Sequence, residues 1–180
     1  MQKRERGSMT LEASIVVPIF VSVMLLVNGF FVFFIGQQMM SNALVQSAKS
    51  LSYDPYAIQR TGDSNFIADL IPFLYDAFNA GGGNYVLSNE WYEEGNIEDV
   101  VKERFVLYLS PTDADELLKS FGVKDGLEGL DFSESSYSDG VLTVKIKYTQ
   151  DFVFNILGLA SFDDSMQVKV RMFEYKEINN

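Results

Sequence analysis

The residue types that most often carry catalysis are scarce in this chain. Cysteine and histidine are both absent from its 180 residues, which excludes disulfides, Cys/His zinc sites and thiol nucleophiles. Carboxylates surround two aromatic residues in EWYEE, residues 90–94, a composition that also occurs around glycosidase acid/base pairs. Acids this close in sequence more often form a solvated loop. We therefore interpret the stretch as structural and expect neither an enzyme nor a cofactor.

Two further patterns could bind phosphate or a metal ion. The glycine-rich stretch NAGGGNY, Asn79–Tyr85, has no Lys-Ser or Lys-Thr pair behind it and no strand pattern before it. A loop is therefore favoured over a phosphate-binding loop. Asp139 and the pair Asp163-Asp164 could bind calcium, but they lack the spaced ligands of an EF-hand. We interpret these acids as hairpin and loop residues and predict no metal site.

One carboxylate, Glu12, stands at the start of a long apolar run. No charged residue lies between Ala13 and Ala48. A helix over Ala13–Ile35 would be roughly 35 Å long, enough to cross a hydrocarbon core of about 30 Å. The sequence therefore predicts a membrane-spanning helix. On its own, Glu12 is typical of a solvated first-turn carboxylate at the lipid headgroups.

Charge is divided sharply along the chain. The stretch Met1–Gly7 has a net charge of +2, and residues 52–180 have a net charge of −13. Together they give the total of −11. A basic stub before a span and an acidic body after it obey the positive-inside tendency. We expect a cytoplasmic N-terminus and an exported C-terminal body. The acidity also argues against a nucleic-acid partner, whose phosphates attract Lys and Arg.

The apolar run continues without a proline into Gly36–Tyr53. A secretory signal peptide has a shorter apolar region, but small residues here leave cleavage after the span as an alternative. Helical spacing predicts that one long helix leaves the membrane and packs on the body, while Pro18 should kink it near its start. The predicted packing face consists of Met40, Ala43, Leu44, Ser47, Ala48 and Leu51.

The residues around Glu12 resemble the class III signal of type IV pilin-like proteins. That signal has a basic leader, a glycine, four residues, a glutamate and then an apolar helix. Gly7 follows the basic leader, Glu12 comes five positions later, and Pro18 follows Glu12 by six. RGSMTLEASIVVPIF is most similar to the N-terminus of the TadE-like pseudopilins of tight-adherence pilus systems. The motif covers about 30 of the 180 residues.

The resemblance implies a processing step and an assembly role. A membrane prepilin peptidase would cut after Gly7 and leave Ser8 as the new N-terminus. Glu12 would then pair with the Ser8 amine of a neighbouring subunit and set the vertical register, because pairing offsets the cost of a charge near lipid. Pro18 belongs to the same motif. Other pilins or pseudopilins are the implied partners, and the bulky body suggests a minor subunit.

Two other functions remain open from the sequence. One is an uncleaved single-pass membrane protein that displays an extracellular binding or adhesin domain. The other is an anchored hydrolase, which the lack of His, Cys and any nucleophile motif disfavours. The state of the N-terminus, cut after Gly7 or intact, distinguishes the pseudopilin from the single-pass alternative.

The body reads as helices followed by strands. A linker-like stretch is predicted at Asp54–Asn65. Apolar spacing then predicts a helix over Asn65–Phe78, interrupted by Pro72, and a second helix over Ile97–Leu109. A third helix should have Ser110 as its cap and Pro111 as its first residue, and it should end at Gly122. The aromatic stretch Asp151–Phe162 is either a strand edge with a partner contact or part of the core.

Alternating residues predict the strands. Leu142, Val144, Ile146 and Tyr148 should face one way, and so should Met166, Val168, Val170 and Met172. Asp139-Gly140 is a hairpin signal that pairs the first of these strands with about Leu130–Tyr137. The predicted fold is α+β and pilin-like, a long N-terminal transmembrane helix leading to helices packed on a C-terminal antiparallel sheet. Its parts are a leader over 1–7, a transmembrane and extended helix over 8–51, and an exported domain over 52–180.

Overall fold

The computed structural model describes residues 2–61, 97–151 and 161–173, and within the first helix it describes the side chains of residues 12–55. That helix, α1, runs over Gln2–Thr61 and has 60 residues. The described elements after it are α2 (Ile97–Leu109), α3 (Ala114–Ser120), β1 (Ser136–Ser138), β2 (Val141–Asp151) and β3 (Ser161–Arg171). A long apolar N-terminal helix joined to helices and an antiparallel sheet confirms the coarse α+β prediction.

The predicted packing face of α1 is confirmed. All six of its residues are buried: Met40, Ala43, Leu44, Ser47, Ala48 and Leu51. The linker predicted from Asp54 was wrong over residues 54–61, where α1 continues through Pro55 to Thr61. A proline inside a helix costs about 3 kcal/mol. Asp54 and Pro55 are both buried, so tertiary packing at this turn opposes that cost.

The second helix has the predicted bounds, but the third starts later than expected. In α2, Val101, Phe105 and Leu109 are buried. The third helix was predicted to begin at Pro111, whereas α3 begins at Ala114. The hydroxyl of Ser110 still accepts the N–H of Asp113 at 3.3 Å. That hydrogen bond closes a turn ahead of α3, and Asp113 rather than Ser110 is the N-cap.

The sheet has the order β1-β2-β3 and is antiparallel throughout. Asp139 and Gly140 have φ values of 52° and 72°, as a two-residue type I′ turn requires, which confirms the hairpin signal. The first strand is shorter than predicted. It begins at Ser136 rather than near Leu130, and Asp131 meets β2 only through an isolated bridge to Lys147.

Strand alternation is confirmed in β2 and β3. The four predicted inward residues of β2, Leu142, Val144, Ile146 and Tyr148, are all buried. The interpretation of Asp163 and Asp164 as loop acids was wrong, because β3 already begins at Ser161. Cross-strand hydrogen bonds hold both carboxylates in the ladder. The hydroxyl of Thr149 donates to Asp163 at 2.7 Å, and the hydroxyl of Tyr148 donates to Asp164 at 3.1 Å.

Three contacts show how α1 lies along the sheet. The ring of Phe33 meets that of Phe162, the amide of Gln37 donates to Asp164, and the carbonyl of Ser52 accepts the N–H of Phe173. Residue numbers rise together on both elements, so α1 runs parallel to β3. The end of the sheet that carries Phe162 therefore lies beside the apolar part of α1.

Several predicted features lie outside the described residues. They are the helix predicted over Asn65–Phe78, the glycine-rich stretch Asn79–Tyr85, the acidic stretch 90–94, and residues 152–160 of the aromatic stretch.

Candidate functional site

The candidate functional surface is the apolar segment of α1, residues 12–35. Every side chain from Glu12 to Asn28 is exposed. Transfer of one such valine, leucine, isoleucine or phenylalanine from water is worth about 1.5–3 kcal/mol. α1 is the one helix in the described part of the chain that is long and apolar enough to cross a membrane. The large exposed hydrophobic side chains of this segment are Ile15, Val16, Val17, Ile19, Phe20, Val21, Val23, Met24, Leu25, Leu26, Val27, Phe30, Phe31, Phe34 and Ile35.

The structure places the four predicted site residues on one helix. Gly7 and Ser8 lie in the backbone of α1, ahead of the described side chains. Glu12 and Pro18 are both exposed on the apolar segment. None of the ion pairs found among the described side chains includes Glu12.

Pro18 changes the hydrogen bonding of the apolar segment. Its ring nitrogen has no hydrogen to donate to the preceding turn. The hydroxyl of Ser22 donates to the carbonyl of Pro18 at 2.8 Å. A serine that bonds back to the fourth residue before it is common where helices bend in an apolar environment.

Beyond the apolar segment, α1 becomes part of the body. We call residues 36–55 the docked segment. At its start, Gly36 lies directly against Phe121, and a Cβ added to Gly36 would be 2.7 Å from the Cβ of Phe121. Only glycine allows this close approach without movement of the neighbour. The docked segment thus begins where the helix first meets the loop after α3.

A buried ion pair holds the far end of the docked segment. The guanidinium of Arg104 in α2 donates to the carboxylate of Asp54 at 2.9 Å. The same guanidinium also donates to the hydroxyl of Ser50, one turn earlier. The sequence interpretation missed this pair because it placed Asp54 in a linker. The available signal was spacing, since Asp54 follows Leu51 by three residues and continues the buried face.

A second polar contact lies near the start of the docked segment. Asp164 accepts hydrogen bonds from the amide of Gln37 at 2.9 Å and from the hydroxyl of Tyr148 at 3.1 Å. Burial, together with the charge of Asp164, raises the pKa of the Tyr148 hydroxyl. Tyr148 therefore remains protonated and donating at physiological pH, and Asp164, which accepts from both side chains, links α1 to β2 and β3.

A surface cleft of about 520 Å³ lies where residues 147–149 of β2 pair with residues 163–165 of β3. It is lined by Gly129, Asp131, Lys147, Tyr148, Thr149, Asp163, Asp164 and Ser165. Its polar side chains bond to one another or to neighbours, as in the Thr149–Asp163 and Tyr148–Asp164 pairs. No group of three or more potential metal ligands was found within the described ranges.

Comparisons with known proteins found no relative of this chain. No family model matches the chain, and neither the curated proteins nor the solved structures contain a match. What the described chain offers is one helix with two different halves. The first half is apolar and exposed, and the second half is built into a folded body.

Proposed function

We propose that the chain is a non-enzymatic structural subunit anchored in a membrane by residues 12–35 of α1. In detail, we propose a minor, TadE-like pseudopilin of a tight-adherence pilus or a related type IV pilus-like assembly. The N-terminus would lie in the cytoplasm and the body outside, as the basic leader and acidic body favour. We also propose that the α+β fold of the body is related to that of pilins.

The observation that carries the proposal is the continuity of α1. One 60-residue helix joins the exposed apolar segment to the docked segment without a linker. The docked segment is held to the body by buried apolar residues, by the Asp54–Arg104 ion pair and by the Gln37–Asp164 hydrogen bond. Because the helix is continuous, any movement of the apolar segment moves the body with it. This property suits a subunit that packs by its N-terminal helix.

The role proposed for Glu12 follows from its place at the edge of the apolar segment. A charge moved into the bilayer centre costs about 2.5–3.5 kcal/mol on insertion scales. Cleavage after Gly7 would free the amine of Ser8, a cation four residues from Glu12 along the chain. Pairing of Glu12 with the Ser8 amine of a neighbouring subunit would neutralise both groups and align the two helices.

The first experiment determines the mature N-terminus. The full chain is produced in cells with and without an active prepilin peptidase, and its intact mass is measured by mass spectrometry. We expect a chain that begins at Ser8 only where the peptidase is active, and a full-length chain for the Gly7→Leu variant. A chain that keeps residues 1–7 in the presence of the peptidase would contradict processing and favour the single-pass display protein.

The second experiment tests the register role of Glu12. We expect Glu12→Gln to be cleaved normally but to be recovered in the assembled fraction at a strongly reduced level. Glu5→Gln is the matched control, because the same change falls in the leader that cleavage would remove. Equal recovery of Glu12→Gln and Glu5→Gln in the assembly would refute the register role even if cleavage occurs.

A further inference from the structure

The end of the β2–β3 hairpin lies beside the apolar segment of α1. We call Asp151, Ser161 and Phe162 the hairpin end. Asp151 and Ser161 are the last partners of the ladder, and the hydroxyl of Ser161 donates to Asp151 at 2.6 Å. The ring of Phe162 meets the ring of Phe33 edge to face, with centroids 6.2 Å apart. The hairpin end is therefore level with a residue of the apolar segment.

The height of Phe33 on the helix corresponds to the outer face of a membrane. At about 1.5 Å per residue, the axis of α1 rises roughly 31 Å from Glu12 to Phe33. A hydrocarbon core is about 30 Å thick. If Glu12 lies at the inner headgroups, Phe33 lies at the outer boundary of the hydrocarbon. The hairpin end then lies at the same boundary.

Phe162 extends an exposed aromatic surface that begins on α1. Although it is a large apolar side chain, it is 52% exposed. Phe33 also contacts Phe34, with ring centroids 5.8 Å apart, and Phe34 contacts Phe30 at 6.5 Å. These four rings form a continuous surface across two elements. Aromatic side chains are enriched at the level where hydrocarbon meets water.

The direction of the strands and the composition beyond them agree with this placement. Because α1 and β3 run parallel, the chain that leaves β2 at Asp151 does so on the side of the lower-numbered residues of α1. The nine residues that join β2 to β3 read FVFNILGLA, with Asn155 as the single polar side chain and no charge. Such a composition favours lipid over water.

We propose that the hairpin end is a second membrane contact, in which Phe162 meets the outer lipid interface beside Phe33. The occupant is lipid, because the aromatic surface is continuous with the segment that the proposed function places in the bilayer. Carboxylates at Asp151, Asp163 and Asp164 limit the contact to a shallow one. The inference rests on the proposed membrane span. Its consequence is that two separate contacts, α1 and the hairpin end, orient the body on the membrane.

The experiment uses the absence of cysteine from the chain. Single cysteines are placed at Phe162, Val23 and Phe173, and each full-length variant is labelled with an environment-sensitive fluorophore and reconstituted into phosphatidylcholine vesicles. Quenching by nitroxide-bearing lipid is compared with quenching by aqueous iodide. Phe173 is the matched control, because it follows the opposite end of β3 and is 49% exposed. Ser161→Cys repeats the test without removing the Phe162 ring.

We expect the labels at Phe162 and Ser161 to be quenched by the lipid nitroxide and to be quenched by iodide much less than the label at Phe173. The label at Val23 reports on the span. If Val23 is quenched by lipid while Phe162 and Phe173 are equally open to iodide, the hairpin contact is overturned and the span stands. If Val23 itself is open to iodide, the proposed span fails. Protection of Phe162 from both quenchers would show a protein neighbour and would also overturn the lipid contact.

Discussion

Arg104 and Asp54 form an ion pair that crosses between α2 and α1, with 2.9 Å between Nη2 and Oδ2. The two side chains are only 4% and 5% exposed. The residues are 50 positions apart in sequence, so the pair joins the end of the docked segment to the first described helix of the body. Removal of either partner would leave the other side chain buried without its counterion.

Arg104→Met should destabilise the body by about 3–5 kcal/mol, because it removes one partner of a buried ion pair and leaves Asp54, whose pKa burial already raises to about 6, without its counterion. The measurement is thermal unfolding of the full chain in detergent, followed by near-ultraviolet circular dichroism of the aromatic residues. The control is Lys119→Met, which breaks an exposed ion pair with Asp115 and should change the midpoint little. The double variant Arg104→Met, Asp54→Leu should recover much of the loss, and equal losses in the single and double variants would contradict this explanation.

Gly36→Ala should destabilise the contact between α1 and the loop after α3. The new Cβ would lie 2.7 Å from the Cβ of Phe121, and the neighbour would have to move. Overpacking of this kind costs about 1–3 kcal/mol. Helix propensity alone predicts the opposite sign, a gain of about 1 kcal/mol. The same unfolding measurement decides between them, with Gln46→Ala on the exposed face of α1 as control.

Gly140→Ala should destabilise the hairpin that joins β1 to β2 through the backbone alone. Gly140 has φ +72°, and no atom lies within 4 Å of the position a Cβ would take. The left-handed conformation costs a residue with a Cβ about 1–2 kcal/mol. Gly140→Asn should lose less, since asparagine tolerates this conformation better. If both variants unfold at the wild-type midpoint, the turn conformation is not what stabilises this hairpin.

Glu134 should contribute a pH-dependent part of the stability of the sheet. Hydrogen bonds from Lys145 and Lys147 hold the pKa of Glu134 below its ordinary value of 4.5. A carboxyl whose pKa is lower in the folded state stabilises the fold above its unfolded pKa, and this contribution is lost as the pH falls through the folded pKa.

The corresponding variant is Glu134→Gln. We expect its unfolding midpoint to lie below that of the wild type at pH 7, and the two midpoints to converge as the pH falls through the lowered pKa of Glu134 in the folded state. Because the pair is exposed, added salt should also reduce the difference. Glu116→Gln, an exposed acid of α3, is the control. A difference that does not shrink anywhere in the acid range in which the fold persists would contradict the titration of Glu134.

Much of the body could be predicted from local patterns. The buried face from Met40 to Leu51, the bounds of α2 and the inward residues of β2 all follow from the spacing of apolar side chains. The turn at Asp139-Gly140 follows from two residue types that accept positive φ. These features depend on neighbours within a few residues, which is the range that periodicity and propensity report.

The errors fall where distant residues decide local structure. Pro55 indicated a helix end, yet α1 continues because its last described side chains pack on the body. Asp163 and Asp164 indicated a loop, yet bonds from Thr149 and Tyr148 hold them in β3. Residue type alone could not predict that α1 continues past Pro55 or that Asp163 and Asp164 lie in a strand. Both depend on contacts with residues that are remote in sequence.

The sequence by itself determined that a basic N-terminal stretch precedes an apolar segment of membrane-spanning length, because hydrophobicity and charge are properties of composition and order. Only the tertiary structure decided where that helix begins to pack on the body, at Phe33 against Phe162 and at Gly36 against Phe121. It also decided which end of the sheet lies beside Phe33. Both depend on side chains that are far apart in sequence and meet only when the helix packs along β3.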